Sequence, residues 1–202
     1  TRQLTQLNEG ALADKTLAAV RPLQVVSSFD KRLIDAWIVT PPDFDRTRKY
    51  PLILEIHGGP FAAYGPTFST DHQLYAAAGY VVVYANPRGS TSSGEEFANL
   101  IHHNYPSDDY DDLMSVVDAA IAQGFVDENA LFVTGGSGGG ALTAWIVGRT
   151  NRFKAAAAQK PVETWSIPAA GVDAPTAAAA AARSAVTDFA ARPPKAAAAV
   201  VT

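Results

Sequence analysis

A glycine cluster between strand-forming and helix-forming residues constrains this sequence more than any other feature. Residues 131–134 (Leu-Phe-Val-Thr) are typical of a buried strand, and residues 141–147 resume with helix-compatible side chains. The turn between them reads G-x-S-x-G from Gly135 to Gly139. In a nucleophile elbow, this pattern presents a serine on a strained turn with its hydroxyl above the edge of the sheet. The stretch therefore predicts that Ser137 is a nucleophile and that the N–H of Gly138 faces a developing oxyanion.

Two other interpretations of the same cluster compete with the elbow. Glycine and serine are common turn residues, so a bare G-x-S-x-G also fits a glycine-rich loop with a bystander serine. A phosphate-binding loop needs a lysine followed by serine or threonine at its end, and Gly140 and Ala141 stand there instead. The flanking strand and helix favour the elbow.

A second glycine-rich loop follows the apolar strand at residues 51–57. The sequence continues as Gly58-Gly59-Pro60, which fits either a tight turn or a loop that offers backbone N–H groups to an anion. With an elbow downstream, the donor loop is favoured, and its glycine pair would supply the second oxyanion donor. His57 is interpreted as a hydrogen-bonding residue that stabilises the turn, rather than as a catalytic base.

The order of elements predicts an α/β fold. Residues 23–28 and 33–39 form a predicted hairpin, and buried-type strands follow at 51–57, 80–85, 131–134 and 153–159. Helices are predicted between them at 68–78, 95–100, 108–123 and from the elbow to 149. Such alternation builds a parallel or mixed sheet covered on both faces, with its site at the carboxyl ends of the strands.

Two polar clusters contain residue types that bind metals, but neither is predicted to be a metal site. Asp108, Asp109, Asp111 and Asp112 crowd the start of a predicted helix, where negative charge is favourable against the helix dipole. The pair His102 and His103 has no carboxylate at ligand spacing, and adjacent side chains are expected to point apart. We therefore interpret the first cluster as helix-terminal charge and the second as a solvated loop.

Composition limits the classes of function. The chain has 202 residues, suited to one domain, and a formal net charge of −4, which argues against a nucleic-acid or anionic-membrane surface. It has no cysteine and only four histidines, so no metal or other cofactor is predicted. No apolar run reaches membrane-spanning length and no signal peptide is recognised, so the compartment is left open.

Four motifs in order resemble the prolyl oligopeptidase family, and most closely the catalytic domains of acylaminoacyl peptidases and dipeptidyl peptidases. They are His57-Gly58-Gly59-Pro60, residues 86–90 (Asn-Pro-Arg-Gly-Ser), residues 110–113 (Tyr-Asp-Asp-Leu) and Gly135-Gly136-Ser137. The resemblance runs from about residue 23 to 161. It implies an α/β-hydrolase-type three-layer sandwich with a mostly parallel sheet, and a small ester or short peptide as substrate. It further implies that Ser137 is the nucleophile, that the N–H groups of Gly59 and Gly138 form the oxyanion hole, and that Arg88 lies near the site.

The sequence also departs from that family. The aromatic residue usual after the serine is Gly138 here, and Ser93 stands where a tyrosine is frequent. The resemblance leads us to expect no N-terminal β-propeller of the family in this sequence, apart from a remnant in residues 1–20. The triad order of the fold is Ser, then Asp or Glu, then His, yet no histidine follows Ser137. The base would then come from His57, His102, His103 or a second chain.

The last part of the chain, residues 161–202, is rich in alanine and proline and resembles nothing in the family. A lost reading frame, a linker-like segment and unassigned side chains each account for it. The predicted organisation is a lead-in at 1–20, a hydrolase core at 21–160 and this tail, with the C-terminal strands missing or altered. Such a domain would expose a sheet edge, which favours self-association. Two functions follow: a serine hydrolase, or a non-catalytic truncated hydrolase fragment.

Overall fold

A six-stranded sheet forms the centre of the structure, a computed structural model that describes residues 4–161. Its strands are β1 (Ala19–Val26), β2 (Leu33–Thr40), β3 (Tyr50–Ile56), β4 (Val81–Asn86), β5 (Val126–Gly136) and β6 (Ala155–Gln159). The helices are α1 (Glu9–Leu12), α2 (Thr70–Ala77), α3 (Gly94–Asn99), α4 (Asp109–Ile121) and α5 (Gly138–Arg149), with a 3₁₀ turn at Thr91–Ser93. The predicted strands and helices are all present, and the short helix α1 was not predicted.

The strand order is β1-β2-β4-β3-β5-β6. The predicted hairpin, β1 with β2, is antiparallel, and β2 also runs antiparallel to β4. From β4 through β3 and β5 to β6 every pairing is parallel. The sheet is therefore mixed and mostly parallel, which confirms the predicted fold class.

Helices cover both faces of the sheet, because side chains along each strand alternate between them. On β4, Val81 and Val83 pack into a core cluster that also holds Leu113 of α4 and Ile146 of α5. Val82 and Tyr84 point the other way and pack with Ala76 of α2. The result is a three-layer sandwich. Leu52 and Leu54 at its centre are fully buried, and each such side chain contributes about 1.5–3 kcal/mol of transfer free energy.

Two strands begin several residues earlier than predicted. β5 begins at Val126 rather than 131, since Val126 is buried and pairs with Tyr50 before a register shift in β3. Its polar residues Glu128 and Asn129 are exposed, which hid the strand from a search for apolar runs. β1 begins at Ala19, inside the predicted lead-in.

Within the described residues the sheet ends at β1 on one side and β6 on the other. The division of the chain at 20 and 160 and self-association through an edge stay predictions, and the tail lies outside the described residues apart from Pro161. Within residues 4–161, no helix is long and apolar enough to cross a bilayer.

Candidate active site

Ser137 lies on the turn between β5 and α5 in a backbone conformation that is rare for serine. Its φ is 57° and its ψ is −116°, and it occupies the N-cap position of α5 without using its hydroxyl as a cap. Its N–H donates to the carbonyl of Gln159 over 2.9 Å, which holds the turn against β6. The residue is exposed to solvent. A strained residue held by its surroundings with a free hydroxyl is the geometry expected of a nucleophile elbow.

Gly135 and Gly139, which lie two residues before and after the serine, are needed because β3 and α5 pack closely here. A Cβ on Gly135 would lie 2.6 Å from the carbonyl oxygen of Gly139 and 2.7 Å from that of Ile56. A Cβ on Gly139 would overlap the carbonyl of Ile56. Gly136, by contrast, has no heavy atom within 4 Å of such a Cβ, so its position does not demand glycine by space alone.

The loop after β3 reaches the elbow because β3 and β5 are neighbours, with Ile56 paired to Gly135. A Cβ on Gly58 would lie 3.4 Å from Cβ and 3.9 Å from Oγ of Ser137. A Cβ on Gly138 would overlap the carbonyl oxygen of Gly59. The structure therefore brings Ser137, Gly138 and Gly59, the three predicted site residues, to one place at the carboxyl ends of adjacent strands.

His57 is held by two hydrogen bonds at the base of this loop. Its Nδ1 lies 2.6 Å from the carbonyl oxygen of Gly58 and its Nε2 lies 3.0 Å from Oγ of Ser90. A carbonyl only accepts, so Nδ1 carries a proton. Oγ of Ser90 also donates to the carbonyl of Pro87 over 2.7 Å, which holds this hydroxyl beside the ring. Burial lowers the pKa of His57, against the opposing effect of the Gly58 carbonyl. The ring thus stabilises the loop, as the sequence indicated.

The remaining histidines lie in two other settings. His72 is buried on α2, where its ring stacks on Tyr84 and its Nε2 lies 2.6 Å from Oε2 of Glu55, without the geometry of a directed hydrogen bond. His102 and His103 are exposed in a loop, as predicted. Their ring centroids are 4.0 Å apart, so the expectation that the two side chains point apart was wrong. His103 has a φ of 56°. Within residues 4–161, no histidine is hydrogen-bonded to the Ser137 hydroxyl.

The aspartates of α4 are not a uniformly solvated charge cluster. Asp112 is fully buried, and its carboxylate accepts from the backbone N–H, Nε and Nη2 of Arg88, each over 2.9 Å. Asp109 is also fully buried, and its Oδ2 has no hydrogen-bond partner. Asp109 and Asp112 lie in the first turn of α4, as predicted, and their burial is what the sequence did not indicate. Among residues 4–161, no group of three or more His, Asp and Glu residues is arranged to hold a metal.

Arg88 lines a small cavity beside the glycine loop, together with His57 and Gly59. Its side chain is 3% exposed and forms an ion pair with Asp112. The guanidinium also donates a hydrogen bond to Oγ of Ser27 and lies over the ring of Phe29. It ties the β1–β2 hairpin and α4 to the loop after β4. The arginine lies near the site, as the resemblance implied, in a structural ion pair.

Tyr105 is a residue of the site region that sequence reasoning did not single out. Its hydroxyl donates to the carbonyl of Gly138 over 3.1 Å, and its ring lines the same cavity as His57. The sequence signal that could have indicated its burial is an aromatic residue in the mostly polar stretch 102–109.

A mixed sheet with helices on both faces and a strained serine between a strand and a helix define the α/β-hydrolase class. A family model described as "Prolyl oligopeptidase family" matches residues 66–175, more than half of the chain. The chain belongs to the prolyl oligopeptidase family.

Similar proteins support this membership. The uncharacterized peptidase YuxL of Bacillus subtilis is 44% identical over 165 residues, which cover 81% of this chain and 25% of that protein. Dipeptidyl-peptidase 5 of Aspergillus fumigatus is 38% identical over 127 residues, 60% of this chain and 18% of that protein. The acylaminoacyl peptidase of Pyrococcus horikoshii superposes with a TM-score of 0.75 at 29% identity, over 81% of this chain and 26% of that one. The match thus spans about a quarter or less of each of these proteins.

Proposed function

We propose that this chain is the nucleophile-bearing part of a serine hydrolase that cleaves a small ester or short peptide through an acyl-enzyme on Ser137. One observation carries the proposal: Ser137 is exposed on a strained turn with its hydroxyl beside the backbone of Gly58. A hydroxyl held in this way is poised to attack a carbonyl carbon bound above the sheet edge.

The proposed chemistry follows from the two loops that meet here. As Ser137 Oγ adds to the substrate carbonyl, negative charge develops on the carbonyl oxygen. The N–H of Gly138 stands in the first position of α5, where a helix leaves its amide without an internal partner. Together with the N–H of Gly59, it is our candidate for the oxyanion hole. The leaving group departs to give an ester on Ser137, and water then releases the acid.

The proton acceptor for Ser137 is the open part of the proposal. His57 is bound to Gly58 and Ser90, and His72 is buried beside Glu55. A serine and an oxyanion hole without a base retain only a residual fraction of catalysis. For the chain as given, we therefore expect turnover of activated esters, whose leaving groups need no proton, to exceed turnover of amides.

A non-catalytic role is the second candidate. It is favoured by the lack of any hydrogen bond between Ser137 and a histidine within residues 4–161. In that role the elbow would remain as part of the scaffold, and the chain would act in binding or assembly.

Covalent labelling with a fluorophosphonate probe separates the two candidates. Wild type, Ser137→Ala and Ser93→Ala are compared, because Ser93 is also an exposed N-cap serine whose hydroxyl makes no cap hydrogen bond. The hydrolase proposal expects labelling of wild type and of Ser93→Ala, and none of Ser137→Ala. Hydrolysis of nitrophenyl acetate should follow the same order. Equal ester hydrolysis by wild type and Ser137→Ala would reject the enzyme proposal for this chain.

A further inference from the structure

We propose that Tyr105 is a positioning residue for the elbow: its hydroxyl holds the Gly138 carbonyl, restrains rotation of the Gly138 backbone and so limits the directions in which the Gly138 N–H faces the oxyanion. The inference rests on the proposed function of Ser137. The hydroxyl donates to the Gly138 carbonyl over 3.1 Å, across 33 residues of sequence, from the loop between α3 and α4.

The first turn of α5 needs such support because it consists of Gly138, Gly139 and Gly140. Each glycine in a helix costs about 1 kcal/mol relative to alanine, since its backbone has more freedom to lose. Two side-chain hydroxyls restrain this turn: Tyr105 on the carbonyl of Gly138, and Thr143 on the carbonyl of Gly139 over 2.8 Å. Thr143 acts from within the helix, whereas Tyr105 ties the turn to a separate element.

Tyr105 is itself held in place by its loop. The ring packs against the main core and lines the cavity with Ile101 and Leu142. The start of α4 is fixed by the buried carboxylate of Asp109, whose Oδ1 accepts from the N–H of Ser107 over 2.8 Å and from that of Tyr110 over 2.9 Å. Burial, and then the charge of Asp109, raise the pKa of Tyr105, which keeps the phenol protonated and able to donate at neutral pH.

A positioning role differs from a purely structural role in what it changes. If Tyr105 aims the Gly138 N–H, removing its hydroxyl slows the covalent step at Ser137 while probe binding before that step is unchanged. If it only adds stability, the covalent step is unchanged and the melting temperature falls.

The experiment measures fluorophosphonate labelling of the full chain over a range of probe concentrations for wild type, Tyr105→Phe and Tyr110→Phe. Tyr110 is the matched control, because it is a half-buried tyrosine nearby whose ring packs under Arg149. We expect Tyr105→Phe to lower the maximal labelling rate constant by roughly three- to tenfold, the effect of one hydrogen bond. The half-saturating probe concentration and the rates of Tyr110→Phe should stay within about twofold of wild type.

Other outcomes overturn the proposal in distinct ways. Unchanged labelling of Tyr105→Phe contradicts positioning, and loss of the fold in this variant makes the hydroxyl a stability element. If wild type itself is not labelled, the proposed function of Ser137 fails, and the backbone amide resonance of Gly138 then tests the contact alone. A shift of that resonance in Tyr105→Phe but not in Tyr110→Phe supports positioning of the peptide, and no shift overturns it.

Discussion

The carbonyl oxygen of Gly59 occupies the space into which a side chain at Gly138 would project. The obstacle is backbone, which cannot rotate away as the end of a flexible side chain can. The aromatic residue that the family usually carries after the serine is therefore incompatible with this position of the glycine loop. The backbone position of residues 58–60 therefore requires a glycine at position 138.

Gly138→Ala should destabilise the protein and disturb the site together. The added methyl overlaps the Gly59 carbonyl, and overpacking of this kind costs about 1–3 kcal/mol. Urea unfolding measures the loss, and labelling of Ser137 should slow as the loop moves away. Gly136→Ala is the matched control, since a Cβ there meets no heavy atom within 4 Å. Equal stability of the two variants would contradict the overlap.

Ser137→Gly should be more stable than Ser137→Ala by about 1 kcal/mol. Alanine keeps the strain of a φ of 57°, whereas glycine adopts positive φ with little cost. Urea unfolding of both variants gives the difference. Ser93 has a φ of −113°, so Ser93→Gly should not be more stable than Ser93→Ala. If both sites behave alike, the strain at the elbow does not limit stability.

Arg88→Met should lower the free energy of unfolding by about 3–5 kcal/mol, because it leaves the Asp112 carboxylate buried and unpaired. The Arg88 and Asp112 side chains are 3% and 0% exposed. Arg152→Met removes the partner of Asp118, which is 63% exposed, and should cost less than about 1 kcal/mol. In a double-mutant cycle, Arg88→Met with Asp112→Leu should lose less than the sum of the single changes. An additive result would mean that the pair is not coupled.

Asp109 should make the folded state less stable as pH rises from about 4 to 7. Burial raises its pKa from 3.8 to about 7, against the hydrogen bonds from Ser107 and Tyr110; nearby Asp112 adds to the rise and Arg88 opposes it. Between these values the folded state keeps a proton that the unfolded state has lost. Its contribution to stability therefore falls with pH, by up to about 1.4 kcal/mol per unit, and is constant above 7.

The pH dependence is read as a difference between wild type and Asp109→Asn, because other carboxylates titrate in the same range. Urea unfolding at pH 4.5, about 6 and about 8 should show wild type losing stability relative to the variant on going up in pH. Asp111 lies on the same helix but is only half-buried, so Asp111→Asn is the control. Its stability should depend on pH as that of wild type does. A parallel pH course in wild type and Asp109→Asn would show that the buried carboxyl does not titrate as described.

The elements of the fold could be predicted because most strands here are continuous apolar runs, bounded by glycine and proline. The elbow was found because its glycines are packing requirements, visible as small residues at fixed spacing. The burial of Asp112 could not be found in this way, because its partner Arg88 is distant in sequence and is brought close only by the sheet. The placement of β4 between β2 and β3 and the contact from Tyr105 to Gly138 are likewise products of tertiary packing.

The pairing of Ile56 with Gly135 has a consequence for how this protein tolerates change. The glycine loop after β3 and the elbow after β5 both begin directly after this residue pair. Their relative position is therefore set by the register between β3 and β5. A single inserted residue in either strand would turn its following side chains to the opposite face and separate the two loops. Substitutions in these strands are thus a matter of degree, whereas insertions and deletions are all-or-none for the site.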